Sequence, residues 1–407
     1  MDITSLLTAD AVRRAARRML GDAEAGRLDH FELDLGRLPD VADRVAAVTR
    51  ASYPDLKVPF HARWRHFEVG GRDRWGQAVA SAGWPDALSK ARAAFDLVIV
   101  SVLLDAGSGG LWSYREPESG DVYRASEGLG VASFELIRSG ALSARPGDPW
   151  RADASQLQAF SSPALASAFQ VGPDNPLGGL DGRVALLRAL GAVCIARPDL
   201  FASADDPRPG GLADAVRARA VDGAIAAPAL LALVLEALGP IWPGRLTVEG
   251  VSLGDAWIYP RWQAGGEVAE AIAPFHKLSQ WLTYSLIEPA LAMGFNVTDI
   301  DGLTGLAEYR NGGLFLDMGV IRLKDPNAAA TAHAVGDPLI VEWRALTVAL
   351  LDRLHPMVAE RLGVPVERFP LACLLEGGTW SAGRQVAREK RGDGGPPLRI
   401  VSDGTTF

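Results

Sequence analysis

The chain has 407 residues, 48% of them hydrophobic and 22% charged, with a formal net charge of -8. That composition describes a globular protein with enough apolar content for a large core. Its acidic balance argues against a general nucleic-acid or membrane-surface binder, because phosphate backbones demand a basic face.

Residues 10–24 place Val12, Ala15, Ala16, Met19 and Leu20 at helical spacing with arginines opposite, which predicts a helix rather than a secretory signal. Residues 41–51 predict a second helix, stopped by Pro54. In KVPFHARWRHFEVGGRDRW, Pro59 favours an extended start and Gly70-Gly71 closes the element. Here His61, Arg63, Arg65 and His66 are interleaved with Trp64 and Phe67. Guanidinium groups suit phosphate recognition, so the segment reads as a pocket wall, beside the plainer reading of a charged face.

Residues 85–105 predict a long apolar helix that opens on Pro85 and ends in LLDAGSGGLWSYRE. Asp-x-Gly-x-Gly after a valine-rich run resembles a nucleotide-binding turn. The apolar run is too long for one strand, however, and Trp112 holds the place of the last glycine. Ser126 is expected to cap a helix carrying Leu129, Val131, Phe134 and Ile137. Four prolines (149, 163, 173 and 176) cut residues 148–181 into short helices and turns, and helical periodicity returns at 180–197. The loop DDPRPGG (205–211) marks a candidate subdomain joint near 203–212.

Residues 213–238 predict two helices, although Pro228 interrupts the apolar run 224–235 and leaves it short of the roughly 18–20 residues of a bilayer span. Residues 246–251 are β-prone and lead into GDAWIYPRW. Helices are then expected over 341–362 and 366–391, the second broken at Gly377-Gly378, with an extended tail after them. The architecture expected is mainly α: one large helical domain over 1–407, divisible into two subdomains. The protein is expected to be soluble and cytoplasmic, with Cys194 and Cys373 as buried free thiols.

The chemistry concentrates in residues 275–324, where an apolar helix gives way to Asp299, Asp301, Glu308, an Arg-Asn-Gly-Gly turn and Asp317. Carboxylates set between packed elements serve proton transfer or stabilise a cationic transition state. Other chemistries lack their residues. His61 and His66 are five apart and no His-Glu-x-x-His occurs, so no metal is expected, and no cofactor. In GGTWSAG the serine falls one place late for a nucleophile elbow, and no Walker loop is present. VTDIDGLTGL is similar to the ribose-phosphate loop of phosphoribosyltransferases, which keeps phosphoribosyl transfer as an alternative.

Taken together, FHARWRHFE, LLDAGSGGLWSYRE, RASEGLGVASFELI, DIDGLTGLAEYRNGGLFLDMGVI and LLEGGTWSAGRQVAREKR resemble the fungal uracil-catabolism (Urc/Urg) family, with motifs spread over nearly the whole chain. The resemblance implies a role in uracil breakdown through nucleotide and ribosylurea intermediates. Over about fifty residues, FHKLSQWLTYSLIEP and the segment after it are also similar to queuosine-salvage nucleotide N-glycosidases. That similarity implies a helical core related to DNA glycosylases. In it Lys277, Gln280, Asp299, Asp301, Leu303 and Thr304 fall in register, and the catalytic Asp position falls on Glu308.

Hydrolysis of an N-glycosidic bond builds positive charge at the anomeric carbon, which a buried carboxylate stabilises. The expected catalytic residues are Glu308, Asp301 and Asp299, with helix capping as the alternative for the two aspartates. Arg63, Arg65, Lys277 and Arg384 are candidates for a phosphate, and Trp64, Trp112, Trp257 and Trp380 for stacking on a base or sugar. His61, His66, Gln280, Arg310, Asn311 and Glu127 complete the expected substrate contacts, with Glu376 and Asp105 as secondary acids. The expected partner is a small nucleotide or ribosyl substrate, with no nucleic acid and no membrane. A non-catalytic nucleotide-binding component of the pathway is the third reading.

Overall fold

The helix Pro338–Leu362 buries every residue from Leu339 to Leu351 and one face beyond them, and ends on Gly363 at φ 72. A stretch buried all round must sit inside a core, and a left-handed glycine is the usual way to stop a helix. The computed structural model describes residues 2–105, 107–201, 205–242, 246–263 and 267–401. Helices dominate them and the strands are two or three residues long, so the protein is mainly α. Among the described residues no helix is long and apolar enough to cross a membrane.

These residues form two compact units, the first from 2–61, 246–280 and 299–401, the second from 62–242 and 281–298. One boundary falls inside the helix Lys277–Ala292. In the first unit, Ala9–Glu24, Leu38–Ser52 and Tyr309–Asp317 pack around the long helix. Thr8 caps the first of these, its hydroxyl accepting from the Ala11 N–H at 3.1 Å. Short ladders tie the loops down, Phe31–Leu33 antiparallel to Ile321–Leu323 and Ala332–Ala334 parallel to Arg399–Val401. The expected helix 366–391 is really four pieces, the first a 3-10 turn over Val366–Arg368. Leu371–Leu374 is α, Leu375–Thr379 is a π turn that absorbs Gly377-Gly378, and Trp380–Lys390 is α again.

The second unit is built on Ala87–Leu103, capped by Asp86 and buried along most of its length. Ala125–Arg138 packs against it, and Ala154–Ala159 and Ser162–Ala168 cover Leu180–Ala196. The tryptophans of this unit are largely core. Trp64, Trp75, Trp84 and Trp150 pack with Phe67 and Phe134 at ring separations of 5.3–6.3 Å. Trp64 is no base-stacking platform, because its Nε1 donates to the Ser285 carbonyl at 2.7 Å inside that cluster. Cys194 and Cys373 are both free and buried.

The loop expected to be a joint lies within the second unit and is packed rather than hinged, with 202–204 outside the described residues. Pro209, Gly210 and Gly211 are buried against Ala87–Leu103. Arg208 Nε donates to the enclosed Asp96 at 2.8 Å, and the Gly210 N–H donates to it at 2.5 Å. A Cβ on Gly210 would stand 2.3 Å from the Arg92 carbonyl oxygen, so only glycine allows this approach.

Burial, opposed by Arg208, pushes the Asp96 carboxyl up to about 6. Between the ordinary carboxylate value and about 6 the folded chain keeps a proton that the unfolded chain has released. Asp96 therefore contributes less stability as pH rises through that window. In Asp96→Asn/Arg208→Met, which also avoids a lone buried guanidinium, the loss of stability from pH 4 to 6 is expected to be smaller than in the wild type. The difference is at most about 1.4 kcal/mol per pH unit, read by urea unfolding.

Candidate functional site

Residues 303–307 run buried along the long helix towards Glu308. Gly305 permits this, since a Cβ there would meet Leu351 Cδ1 at 2.6 Å. Gln280 clamps the run. Its Oε1 accepts from the Thr304 N–H at 2.9 Å, and its Nε2 donates to Thr304 Oγ1 at 2.7 Å and to the Phe275 carbonyl at 3.1 Å. These bonds engage both ends of the Gln280 amide, the group expected to contact substrate.

Arg344, from the buried side of the long helix, donates to the Ala307 carbonyl at 3.2 Å and grips both Asp255 oxygens at 2.8 and 2.7 Å. Its guanidinium lies 4.1 Å above the Phe275 ring. Asp255 also accepts from the Lys277 N–H at 3.1 Å and from Trp257 Nε1 at 2.9 Å. One ion pair thus joins the turn bearing Trp257, the helix start bearing Lys277 and the residue before Glu308.

Glu308 is enclosed, with 8% of its surface exposed. It caps the helix Tyr309–Asp317, Oε1 accepting from the Asn311 N–H at 2.9 Å and Oε2 from the Arg310 N–H at 3.2 Å. A helix N-terminus is a favourable place for negative charge. Gly312 brings this helix against the long one, where a Cβ would meet Trp343 Nε1 and Thr347 Oγ1 at 2.7 Å. Asn311 Oδ1, Arg310 Nε, Trp343 Nε1 and Thr379 Oγ1 are enclosed with no hydrogen-bond partner among the described residues. All four belong to this helix or to elements packed on it. Buried polar atoms left unpaired are costly, so they point to an occupant that completes them.

Further round the same unit, His61 Nδ1 lies 2.7 Å from Glu376 Oε2, and the His61 and Trp380 ring centroids are 6.4 Å apart. Arg384 sits 4.6 Å over Trp380. Gly383 seats this helix on the Glu308 helix, since a Cβ would stand 2.4 Å from the Arg310 carbonyl oxygen. The first unit therefore gathers Glu308, Lys277, Gln280, Trp257, Arg310, Asn311, His61, Trp380 and Arg384.

Asp299 and Asp301 are exposed, unlike Glu308, and do not form a buried acid cluster with it. Asp299 sits at φ 50 and makes no cap hydrogen bond, whereas Asp301 accepts from the Leu371 N–H at 2.7 Å, a structural contact. Asp317 is held by Arg391 at 2.7 and 2.6 Å.

Arg63, Arg65, His66, Glu127 and Trp112 belong to the second unit. Arg63 is fully enclosed. It donates to Ser101 Oγ at 2.6 Å, to Asp105 at 2.7 Å and to the Ser126 carbonyl at 3.2 Å, while its Nη2 has no protein partner. Burial pulls its guanidinium below the usual value, against the pull of Asp105. His66 Nδ1 stands 3.5 Å from the same guanidinium. Ser126 does not cap the helix, which begins at Ala125; its hydroxyl donates to Asp105 at 2.9 Å. Arg65 is paired with Glu288 at 2.9 Å and Glu68 at 3.2 Å, which favours a structural role over phosphate binding. Trp112 is corrected to a core residue, fully buried, stacked on Phe169 and donating to its carbonyl at 3.0 Å. Glu127 is half-buried in the first turn of its helix.

Sequence reasoning missed Asp255, Arg344, Trp343 and Thr379. The available signal was two charges, Glu342 and Arg344, inside the otherwise largely apolar first half of the long helix. Long helices bury such charges only when something binds them.

A family model described as "Protein of unknown function (DUF1688)" matches residues 5–407. The chain belongs to the DUF1688 family. It is similar to Protein urg3 of Schizosaccharomyces pombe, 40% identical over 415 residues that cover 100% of this chain and 99% of that protein. It is also similar to Uracil catabolism protein 4 of Lachancea kluyveri, 35% identical over 430 residues covering 98% and 97%. This DUF1688 chain thus matches those relatives from end to end.

Removing the Asp255 carboxylate deprives the buried Arg344 guanidinium of its counter-charge. Asp255→Asn is expected to lower unfolding free energy by about 3–5 kcal/mol, measured by denaturant titration. Asp34→Asn, on the exposed pair with Arg322, is expected to change it by less than about 1 kcal/mol.

Proposed function

We propose that this protein acts in uracil breakdown and hydrolyses the N-glycosidic bond of a ribosyl compound, 5′-phosphorylated, such as UMP or ribosylurea phosphate. The pathway rests on the likeness to Uracil catabolism protein 4. The reading of the reaction is supported by one observation: an enclosed carboxylate, Glu308, at the N-terminus of a helix that, with the elements packed on it, carries buried polar atoms with no partner among the described residues.

In this reading Glu308 faces the anomeric carbon and stabilises its developing positive charge. Asn311 Oδ1 and the Trp343 N–H pair with sugar hydroxyls. Trp380, under the Arg384 guanidinium, stacks on the base, and Lys277 and Arg384 take the phosphate. A second reading, a nucleotide-binding component without turnover, is favoured by the capping geometry, which already engages both Glu308 oxygens.

The test is incubation of the pure protein with UMP and with ribosylurea 5′-phosphate, assayed for free ribose 5-phosphate in the presence of a chelator. Release is the expected result. Tight binding without product would overturn hydrolysis in favour of the binding component, and a need for Mg²⁺ and phosphoribosyl diphosphate would favour transfer instead. Glu308→Gln keeps one cap acceptor, so its stability should fall by only about 1 kcal/mol. Its turnover should fall by about 100-fold or more, whereas a purely capping Glu308 would leave turnover near that of the wild type.

A further inference from the structure

Inside the second unit, Arg63 is a guanidinium with no exposed surface and one open side. Its Nε donates to Ser101 Oγ and its Nη1 to Asp105 and the Ser126 carbonyl, whereas Nη2 donates to nothing among the described residues. A nitrogen carrying two N–H groups is thus left unsatisfied in the interior. Such a group costs free energy until an acceptor completes it.

Its charge is shared as thinly as its hydrogen bonds. Among the described residues Asp105 is the one carboxylate that acts on Arg63. Asp105 gives Oδ1 to Arg63 at 2.7 Å, but its Oδ2 already accepts from Ser126 Oγ at 2.9 Å. Burial pulls Arg183, a second fully enclosed guanidinium, down to about 10, opposed by the same Asp105. Arg183 itself donates to the backbone carbonyls of Leu104 at 2.9 Å and Gly107 at 3.2 Å. Two enclosed guanidiniums therefore lean on one carboxylate, and His66, with Nδ1 3.5 Å from Arg63, brings no negative charge. Buried charge of one sign calls for a counter-ion.

The surroundings suit a compact occupant. The Trp281 ring centroid lies 5.5 Å from the guanidinium carbon. On the helix Ala125–Arg138, a Cβ on Gly130 would stand 3.5 Å from that carbon and 2.6 Å from His66 Cβ. Packing this close favours a small anion over a nucleobase. Asp105 reaches the surface, at 8% exposure, and the exposed glycines 107, 109 and 110 follow it in the chain. The Asp-x-Gly-x-Gly turn noted in the sequence thus runs from the shared carboxylate towards solvent.

We propose that the second unit holds a site for a small oxyanion of the phosphate class, bound by Arg63 Nη2 beside Asp105. A planar guanidinium matches the oxygens of a phosphate and forms short, charge-assisted hydrogen bonds with them. The inference is independent of the N-glycosidase reading of Glu308, whose own phosphate contacts, Lys277 and Arg384, belong to the first unit.

The test is calorimetric titration of the full-length protein with inorganic phosphate and, separately, ribose 5-phosphate, at fixed ionic strength with chloride as the control. Arg63-dependent binding of at least one of them is expected, and the tighter of the two identifies the source, free or esterified phosphate. Asp105→Asn removes the competing carboxylate and should tighten that binding about tenfold. Arg63→Met/Asp105→Asn, which leaves neither member of the pair unmatched, should abolish it. Lys277→Met/Arg384→Met should keep it. Loss in that last variant, with retention in Arg63→Met/Asp105→Asn, puts the anion in the first unit and overturns the proposal. Binding no stronger than that of chloride, or no binding, overturns it as well. Should Arg63→Met/Asp105→Asn lose its circular-dichroism signature of folding, Asp105→Asn decides, and an unchanged or weaker affinity there overturns the site.

Discussion

A single guanidinium, that of Arg344, holds the Glu308-bearing unit of this protein in shape. It is almost fully enclosed, and its contacts include two hydrogen bonds to Asp255, one to the Ala307 carbonyl and a face laid on Phe275. Desolvating such a pair is expensive, and near-ideal bidentate geometry is what offsets the cost. An apolar substitute could be as stable. It could not hold a turn, a helix start and an extended run in one register, and that register carries Glu308 to its place.

Close backbone approach supplies the second constraint. Gly305 against Leu351, Gly312 against Trp343 and Gly383 against Arg310 let three elements meet with no side chain between them. Where backbones come this near, polar groups on the flanks become enclosed before they find partners. Asn311 and Trp343 share this fate, and Thr379 meets it beside the widened turn. A fold selected for stability alone would fill or pair such atoms, because each one left open costs free energy. Their occurrence on the Glu308 helix and on the elements packed against it is what the proposed reading accounts for.

Much of this was legible beforehand. Periodicity located the helices because most of them bury one clear face or all faces, as in Ala9–Glu24 and Pro338–Leu362. The acid-bearing stretch after the helix Lys277–Ala292 stood out as candidate chemistry, and Glu308 is an enclosed acid within it, as is the Asp317 side chain held by Arg391. Its companions Asp299 and Asp301 looked equivalent in the sequence, and only the three-dimensional path of the chain separates exposed from enclosed. Ser126 misled because a hydroxyl before an apolar run reads as a cap, whereas a carboxylate distant in sequence, Asp105, claims it. The loop after residue 205 looked like a hinge, since proline and glycine mark loops but do not reveal that Asp96 draws Arg208 inward. No local pattern announces a π turn, so Gly377-Gly378 read as a break.

The most direct measurement is a crystal structure of Glu308→Gln grown with UMP. The account predicts the ribose in the first unit with its anomeric carbon within about 3.5 Å of the residue 308 side chain, in reach for reaction. Asn311 and Trp343 should then contact its hydroxyls. A nucleotide bound with its sugar remote from that side chain, while residue 308 does nothing but cap its helix, would contradict the account.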